Sequence, residues 1–296
     1  MFPTSAMGRT PTVRASGGNG WKAANSRTTL VREVLLSIFR WLHRGSSQKK
    51  IAQLSQIDAV TKAAVGRTHK GDHCSCLATR TKKGTPGVPN LHAEPQDQSV
   101  AGWPLLERLV DDAACEQAAV LEPSAEIAAE DWRQIITLPV AVRELDSVRE
   151  LRLYGSHLRR LPPEIGRMTS LANLDIYTSY SLHWLPYEVT RCANLKDSRM
   201  STRALYGNRK TMLPFPRLSG SPETLRPETC SVCDCPFGPS GPQLWWITLR
   251  VGTDDAPLLV HSCSDKCTTS LPAPPLGYHP KPHKGGGGVG MPAPDL

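Results

Sequence analysis

The sequence predicts an α/β protein that contains a short stack of repeats followed by a small module with four cysteines. The first observation is a Leu-Pro pair that recurs at Leu138, Leu161 and Leu185, with spacings of 23 and 24 residues. The second is a group of four cysteines in two close pairs near the C-terminus, a pattern that metal sites use. The third is a helical spacing of apolar residues just before the first repeat.

The repeats extend beyond the Leu-Pro pairs, because apolar residues return at matching positions within each segment. Such a period predicts coils that stack on one another, since one coil cannot bury its apolar side alone. The matching positions are Val142, Ile165 and Val189; Leu145, Met168 and Cys192; Val148, Leu171 and Leu195; and Leu151 with Leu153 against Leu174 with Ile176. We therefore expect Cys192 to be a small buried apolar side chain and not a nucleophile.

The segment LPPEIGRMTSLANLDI, residues 161–176, resembles the leucine-rich-repeat family. The resemblance implies that each repeat forms a short strand and a returning arc, and that residues 138–218 form a short curved solenoid. A stack of three repeats needs a cover at both ends. Residues 101–137 are predicted to form a helical cap that begins near Trp103, with Ser124 as the N-cap of its second helix.

The strands of such a stack would present one face to solvent, because side chains alternate along a strand. The predicted outward positions are Glu150, Arg152 and Tyr154; Asn173, Asp175 and Tyr177; and Asp197 and Arg199. The last two follow a strict count of residues, which we favour over a later register in which residues 205–207 repeat the LYG of residues 153–155. Tyr and Arg often anchor protein contacts, so we expect this face to bind an unidentified protein. The alternative is a face that is merely solvated.

The C-terminal module is predicted from a C-x2-C pair, Cys230 and Cys233, and a C-x3-C pair, Cys263 and Cys267, with 29 residues between them. Between the pairs, residues 244–251 and 258–262 are predicted to form two strands, joined by a turn at residues 252–257. Over residues 228–272 this arrangement resembles the treble-clef class of zinc fingers. The resemblance implies a structural zinc, since four thiolates fill a tetrahedral shell. The module is also a candidate cover for the C-terminal end of the stack.

Other ligand sets remain open for this module. Cys235 or His261 could replace one of the four cysteines, and the cysteines could instead form disulfides in an oxidising compartment. The nine cysteines of the chain form an odd number without a secretory context, which favours a reducing, cytoplasmic setting. A separate C-x-C motif, Cys74 and Cys76, has the wrong spacing for an ordinary zinc knuckle.

Three features together extend the resemblance: LYGS at residues 153–156, STRALYGN at residues 201–208, and the CSVC and CSDKC motifs. Their combination is similar to bacterial proteins of undefined role that pair a leucine-rich-repeat region with a C-terminal treble-clef-like finger. The resemblance covers residues 103–290 and implies the same pairing of domains here.

Positive charge is concentrated in the N-terminal third. Residues 1–100 contain 15 Lys or Arg against 5 Asp or Glu, whereas the rest of the chain contains 20 against 22. A basic segment of this kind attracts polyanions without reading a sequence, and the acidic balance of residues 228–270 disfavours phosphate contacts. We therefore expect no specific nucleic-acid partner.

Both ends of the chain are expected to lack a packed core. Residues 1–100 are predicted to be a largely disordered basic extension, and the Pro- and Gly-rich residues 273–296 a disordered tail. Within the extension, residues 29–44 predict one amphipathic helix. An alternative function for that helix is peripheral attachment to a membrane, although it is too short to span one and we do not expect a membrane partner.

These features predict a monomeric, non-catalytic protein–protein interaction module. The sequence contains no phosphate loop, paired-carboxylate motif or catalytic metal signature. The alternative is a hydrolase or ligase that uses Cys192, Cys235 or His183. The aromatic residues around His183, including Trp184 and Tyr187, could form a ligand site, but we favour packing in the core.

Overall fold

The computed structural model describes residues 87–220 and 222–289, in which the helices are few and the strands short. The helices are α1 (Gly102–Cys115), α2 (Ala129–Trp132) and α3 (Asp265–Thr269). The strands are β1 (Val120–Leu121), β2 (Glu150–Arg152), β3 (Asn173–Ile176), β4 (Leu185–Pro186), β5 (Asp197–Met200), β6 (Gln243–Val251) and β7 (Asp254–Ser262). They form a parallel sheet, β1-β2-β3-β5, and a mixed sheet, β4-β7-β6, in agreement with the predicted α/β class. The predicted helix at 29–44, the basic extension up to residue 86 and the C-x-C motif lie outside the described residues.

The parallel sheet keeps the alignment of the sequence repeats. β2 pairs with β3 through Leu151 and Leu174, and β3 pairs with β5 through Asp175 and Arg199. The third strand therefore follows the strict count of residues, and the later register at 205–207 is wrong. Because side chains alternate along these strands, Leu151 and Leu174 are buried between the sheet and the rest of the stack.

A short 3-10 turn follows each Leu-Pro pair and returns the chain toward the next strand. The three turns are Val140–Glu144, Pro163–Arg167 and Tyr187–Arg191. The proline before each turn has φ of −67°, −72° or −68°, as its ring requires, and ψ in the extended region. Each turn packs on the next, as the strands do, and the apolar residues of all three coils meet in one core.

Helix α1 packs against the N-terminal side of the parallel sheet. Trp103, Leu106 and Val110 form its buried side and belong to the same core as the repeats. α1 contacts both β1 and the first 3-10 turn.

No helix within residues 87–220 and 222–289 is long and apolar enough to cross a lipid bilayer.

The rest of the predicted cap differs from expectation. Ser124 does not begin a helix, because it lies inside a 3-10 turn that starts at Pro123 and leaves helical geometry at Glu126, where φ is −120°. α2 begins later, after Ala128, and no side chain caps it. The segment also contains β1, which the sequence did not predict and which adds a fourth parallel strand beside β2. Two residues are too few to produce a periodic pattern.

The C-terminal module contains the long hairpin formed by β6 and β7, which joins a repeat segment in the second sheet. β7 pairs in parallel with β4, with Leu258 opposite Leu185. β7 begins at Asp254 and contains Pro257, so the turn is shorter than the predicted span of 252–257. Proline lacks a backbone N–H and is tolerated in a strand only where no hydrogen bond to a neighbouring strand is needed. Pro257 meets this condition on the β4 side of β7, because β4 pairs only with the two residues that follow it, Leu258 and Leu259.

The hairpin shares the apolar core of the repeats and covers their C-terminal end. Ile247 and Leu258 are buried in the same cluster as the repeat leucines. At the tip of the hairpin, the Ser198 hydroxyl of β5 donates to the Val251 carbonyl oxygen (2.8 Å). The Thr253 hydroxyl donates in return to the Ser198 carbonyl oxygen (2.8 Å). The hairpin therefore packs against β5, the last strand of the parallel sheet.

Residues 87–100, which composition placed in the extension, also contact the folded part. His92 is buried, and its ring stacks on that of His183 with centroids 6.0 Å apart. The side-chain oxygen of Gln96 accepts a hydrogen bond from the N–H of Ile136 (2.8 Å). Ordered contacts therefore begin before Trp103, because polar side chains of this segment satisfy backbone groups that the cap leaves free.

Residues 273–289, which composition placed in the tail, pack against the free edge of β6. The N–H of His283 donates to the carbonyl oxygen of Trp246 (3.0 Å), and the N–H of Trp246 donates to that of His283 (2.9 Å). β6 is the outer strand of its sheet, so its backbone has unpaired groups that a neighbouring segment can satisfy. Composition indicates a weak apolar core but carries no information about this backbone pairing.

The tip of the hairpin provides a test of its contact with the repeats. Gly252 has φ +59°, and an added Cβ would lie 2.9 Å from the backbone of Asp197. We expect Gly252→Ala to lower the free energy of unfolding in urea by roughly 2–4 kcal/mol, because backbone strain and overpacking add. Gly241→Ala is the control, because Gly241 has φ +71° with open space around it, and should cost only about 1–2 kcal/mol. Equal losses in the two variants would contradict the close approach of the hairpin to β5.

Candidate metal centre

Four cysteine sulfurs meet beside the end of the hairpin. The Sγ atoms of Cys230, Cys233, Cys263 and Cys267 all lie within 4.8 Å of one another. Cys263 Sγ lies 3.5 Å from Cys233 Sγ and 3.6 Å from Cys267 Sγ. A tetrahedral shell with metal–sulfur bonds of about 2.3 Å places its sulfurs about 3.8 Å apart, so the group has the dimensions of a four-thiolate site. These four side chains could hold a metal ion.

A tight turn positions the first cysteine pair. The N–H of Cys230 donates to the carbonyl oxygen of Cys235 (2.9 Å), and the N–H of Asp234 donates to that of Cys230 (3.0 Å). Asp234 has φ +60°, a left-handed conformation that Asp adopts more readily than most residues. The turn reverses the chain, so the side chains of Cys230 and Cys233 point to the same place.

The second pair is positioned by the end of β7 and the start of α3. Cys263 directly follows β7, and Cys267 lies in the first turn of α3. Ser264 is the N-cap of α3, and its Oγ accepts a hydrogen bond from the N–H of Cys267 (3.4 Å). The N–H of Cys263 donates to the sulfur of Cys230 (3.3 Å), which joins the two pairs.

The thiols of the cluster influence one another's ionisation. A backbone hydrogen bond from Cys235 lowers the pKa of Cys233 to about 6. The hydrogen bond between the side chains of Cys233 and Cys263 raises the pKa of Cys263 to about 12. The opposite directions of these two shifts agree with the physical expectation that a thiolate disfavours ionisation of the thiol beside it. A bound cation stabilises all four thiolates together.

The competing ligands predicted from the sequence lie outside this group. Cys235 is exposed, and its sulfur contacts the carbonyl oxygen of Cys233 (3.6 Å) instead of the cluster. His261 is buried within β7, and burial lowers the pKa of its imidazole to about 4. The alternative of disulfides does not fit the geometry, because the 3.5 Å between the sulfurs of Cys233 and Cys263 greatly exceeds the bond length of about 2.05 Å.

Arg191 fastens the first cysteine pair to the third repeat. Its Nη2 donates to the carbonyl oxygens of Cys230 (3.1 Å) and Ser231 (3.0 Å), and its Nη1 lies 3.2 Å from the Asp234 carboxylate. Arg191 ends the 3-10 turn of that repeat. Arg191 was not among the residues predicted from the sequence, because no local pattern indicates that the cysteine turn folds against this particular arc.

The residues predicted to face solvent from the parallel sheet are exposed or half-buried, and we call them the sheet face: Glu150, Arg152, Tyr154, Asn173, Asp175, Tyr177, Asp197 and Arg199. Arg152 donates to the carboxylates of Glu150 (2.6 Å) and Glu122 (3.1 Å). Glu122 follows β1 and was missed with that strand. Arg199 donates to the Asp175 carboxylate on the neighbouring strand (3.0 Å).

Two tyrosines lie next to these ion pairs. Tyr154 is 51% exposed and Tyr177 is 42% exposed, and their ring centroids are 6.1 Å apart. The guanidinium of Arg199 lies over the Tyr177 ring, 5.1 Å from its centroid. The sheet face is therefore a continuous row of paired charges and exposed rings.

Two of the residues considered for catalysis, Cys192 and His183, are buried. Cys192 is buried, its sulfur donates to a repeat carbonyl oxygen (3.2 Å), and burial raises its pKa to about 12. His183 is buried, and its Nδ1–H donates to the carbonyl oxygen of Ala204 (2.6 Å). Trp184 and Tyr187 are also buried, which agrees with the favoured packing of these rings in the core.

Comparison with known proteins assigns no family to the chain. No protein-family model matches it, and no curated protein matches its sequence. The cysteine cluster and the sheet face are therefore the features from which a function can be inferred.

Single cysteine replacements test the ligand set. We expect Cys233→Ser to weaken the affinity for a divalent metal by on the order of 100-fold, because it removes one of four ligands. Cys235→Ser changes an exposed cysteine two residues away and should retain one ion per chain with unchanged affinity. Metal content after dialysis against a chelator of known affinity measures both. Metal loss in Cys235→Ser with retention in Cys233→Ser would contradict the ligand set.

Proposed function

We propose that this chain is a non-catalytic protein-binding module of the leucine-rich-repeat class, in which the sheet face contacts another protein and a structural zinc ion stabilises the C-terminal end. The observation that carries this proposal is the row formed by Tyr154, Tyr177 and Arg199 on a sheet backed by buried leucines. Aromatic rings and guanidinium groups are the side chains that most often anchor protein contacts.

The arrangement of charges on the sheet face supports a protein partner. Arg152 and Arg199 are each held by carboxylates of the face, so they lose less rotamer freedom when a partner binds. Acidic side chains outnumber these two arginines, a balance that disfavours a phosphate backbone. The acidic residues of the face and its edge are Glu122, Glu150, Asp175 and Asp197.

Three properties of the described residues support the repeat class. Strands at matching sequence positions pair in register, a 3-10 turn follows each Leu-Pro pair, and the coils share one apolar core. Helix α1 and the hairpin lie at the two ends of the row, where a short solenoid needs covers.

Zinc is the metal that we propose for the cysteine cluster. Four thiolates in a tetrahedral arrangement suit Zn²⁺ and leave no coordination position for water, so its role would be structural. The turn that carries the first pair, the hairpin and the short helix that carries the second pair suit a treble-clef finger. Thiols of this kind persist in a reducing compartment, so we propose a cytoplasmic location.

Removal of the metal tests this assignment. Protein purified under reducing conditions without added metal should contain one zinc per chain by elemental analysis. A chelator should then lower the thermal unfolding midpoint by about 10 °C or more, because the binding energy of a structural zinc is part of the folding energy. Added zinc should restore the midpoint and added magnesium should not. Iron in place of zinc, or no metal in reduced protein, would refute the zinc assignment.

The sheet face is tested with a partner isolated by affinity purification from the native cell. We expect Arg152→Glu combined with Tyr154→Ala to weaken calorimetrically measured binding of that partner by roughly 30-fold or more, since each anchor contributes at least about 1 kcal/mol. Circular dichroism should show an unchanged fold, because both side chains are exposed.

A matched control uses the arc side of the first repeat. Arg143→Glu combined with Val140→Ala also reverses one exposed arginine and truncates one exposed apolar side chain, but on the 3-10 turn Val140–Glu144. This control should bind with wild-type affinity. Equal retention of the partner by both double variants would show that the sheet face is not the contact surface.

A further inference from the structure

A small buried cavity lies between the third repeat and the C-terminal hairpin. Its volume is about 10 Å³, which is close to the space that one ordered water occupies by the same measure. Apolar residues form part of its lining, and the exposed Thr224, whose hydroxyl donates to the Ala93 carbonyl oxygen (2.7 Å), lies at its edge. The other four lining residues with a polar side-chain atom are buried: Arg160, Trp184, Glu188 and His261. All four are nearly inaccessible to solvent, at 4%, 2%, 3% and 2% exposure.

Each of these residues has a buried polar atom without a hydrogen-bond partner in the protein. The atoms are Nη1 of Arg160, Nε1 of Trp184, both carboxylate oxygens of Glu188, and Nε2 of His261. A buried polar group left without a partner costs about 1–3 kcal/mol, and a charged one costs more. Four such groups that line one cavity therefore indicate a shared partner.

The two charged members show the effect of their surroundings. Burial raises the pKa of Glu188, and the nearby Ser231 hydroxyl only partly opposes this shift. That hydroxyl already accepts a hydrogen bond from the N–H of His261 (2.9 Å), and neither oxygen of Glu188 makes a hydrogen bond of normal geometry. Burial likewise lowers the pKa of Arg160, although Glu94 opposes the shift.

We propose that this cavity holds one ordered water molecule that hydrogen-bonds to Arg160, Trp184, Glu188 and His261 at the same time. Water donates two hydrogen bonds and accepts two, which allows one bond to each of the four groups. The second carboxylate oxygen of Glu188 is then left to the nearby Ser231 hydroxyl. Arg160 and Trp184 can only donate, whereas the Glu188 carboxylate and an unprotonated imidazole nitrogen of His261 accept. A cation would be opposed by the guanidinium of Arg160, and an anion would be opposed by the carboxylate of Glu188.

This water joins parts of the chain that are distant in sequence. Arg160 precedes the Leu-Pro pair of the second repeat, Trp184 and Glu188 belong to the third repeat, and His261 belongs to β7 of the cysteine module. A cleft of about 100 Å³ on the arc side shares two lining residues, Pro163 and Glu188, with the cavity. The water is thus a link between the repeats and the module that carries the metal centre.

The indole N–H of Trp184 tests the proposal directly. In the full-length protein with ¹⁵N-labelled tryptophan, we expect a nuclear Overhauser cross-peak between water and the Nε1–H of Trp184. Trp184→Phe assigns the signal by its loss. Trp246 is the matched control, because its buried Nε1–H donates to the carbonyl oxygen of Pro216 (2.9 Å) and should show no cross-peak.

A cross-peak at Trp184 and none at Trp246 supports the proposal. No cross-peak at Trp184, or equal cross-peaks at both indoles, overturns it. If Trp184→Phe does not fold, a high-resolution crystal structure of the full chain decides the question. A single water within about 2.7–3.2 Å of the polar atoms of Arg160, Glu188 and His261 is then expected, and a dry cavity or a bound ion overturns the proposal.

Discussion

A strand only two to four residues long cannot bury its own apolar side chains, and the need for a neighbouring strand organises this structure. Leu151 therefore packs beside Leu174, and the row continues until another element covers its end. At the N-terminal end that element is α1. At the C-terminal end it is the hairpin, which pairs Leu258 with Leu185 and contributes its own apolar residues to the core.

The position of the cysteine cluster connects it to the packing of the hairpin on the repeats. It lies at the base of the hairpin that closes the stack, and Arg191 of the third repeat holds the turn that carries Cys230. Any ion bound there stabilises the cover of the repeats as well as a local loop. The repeats and the cysteine module, which the sequence suggests as two domains, therefore share both a core and a polar contact. Loss of either part leaves apolar surface of the other exposed to water.

The sheet face depends on the same core for its rigidity. Tyr154, Tyr177 and Arg199 stand on strands whose opposite faces are buried, and ion pairs across the strands limit the movement of the arginines. A face of four short strands offers little area, so its affinity would come from a few well-placed anchors. The proposed binding role therefore depends on the arrangement of these side chains and not on the area of the face.

The pairing of the strands and the composition of the cysteine cluster could be predicted from the sequence. The columns of leucines predicted which strand residues pair, and the two cysteine spacings predicted the four sulfurs that meet. Both results depend on periodicity or on short spacing, which a sequence states directly. The helix expected after Ser124 was too long, because Pro123 begins a tight turn instead. The competitor His261 had a suitable side chain for a metal, but its strand buries it away from the sulfurs.

The sequence by itself determined the repeats, the outward residues of the strands and the identity of the four clustered cysteines, since each follows from positions along the chain. Only the tertiary structure decided that β4 joins β7, that Arg191 holds the cysteine turn, and that His283 pairs with the free edge of β6. The physical reason is that the unpaired backbone groups of a strand edge and buried polar groups need hydrogen-bond partners, and these partners can come from any segment that the fold brings close. The spacing of residues along the chain does not indicate which distant segments will form these contacts.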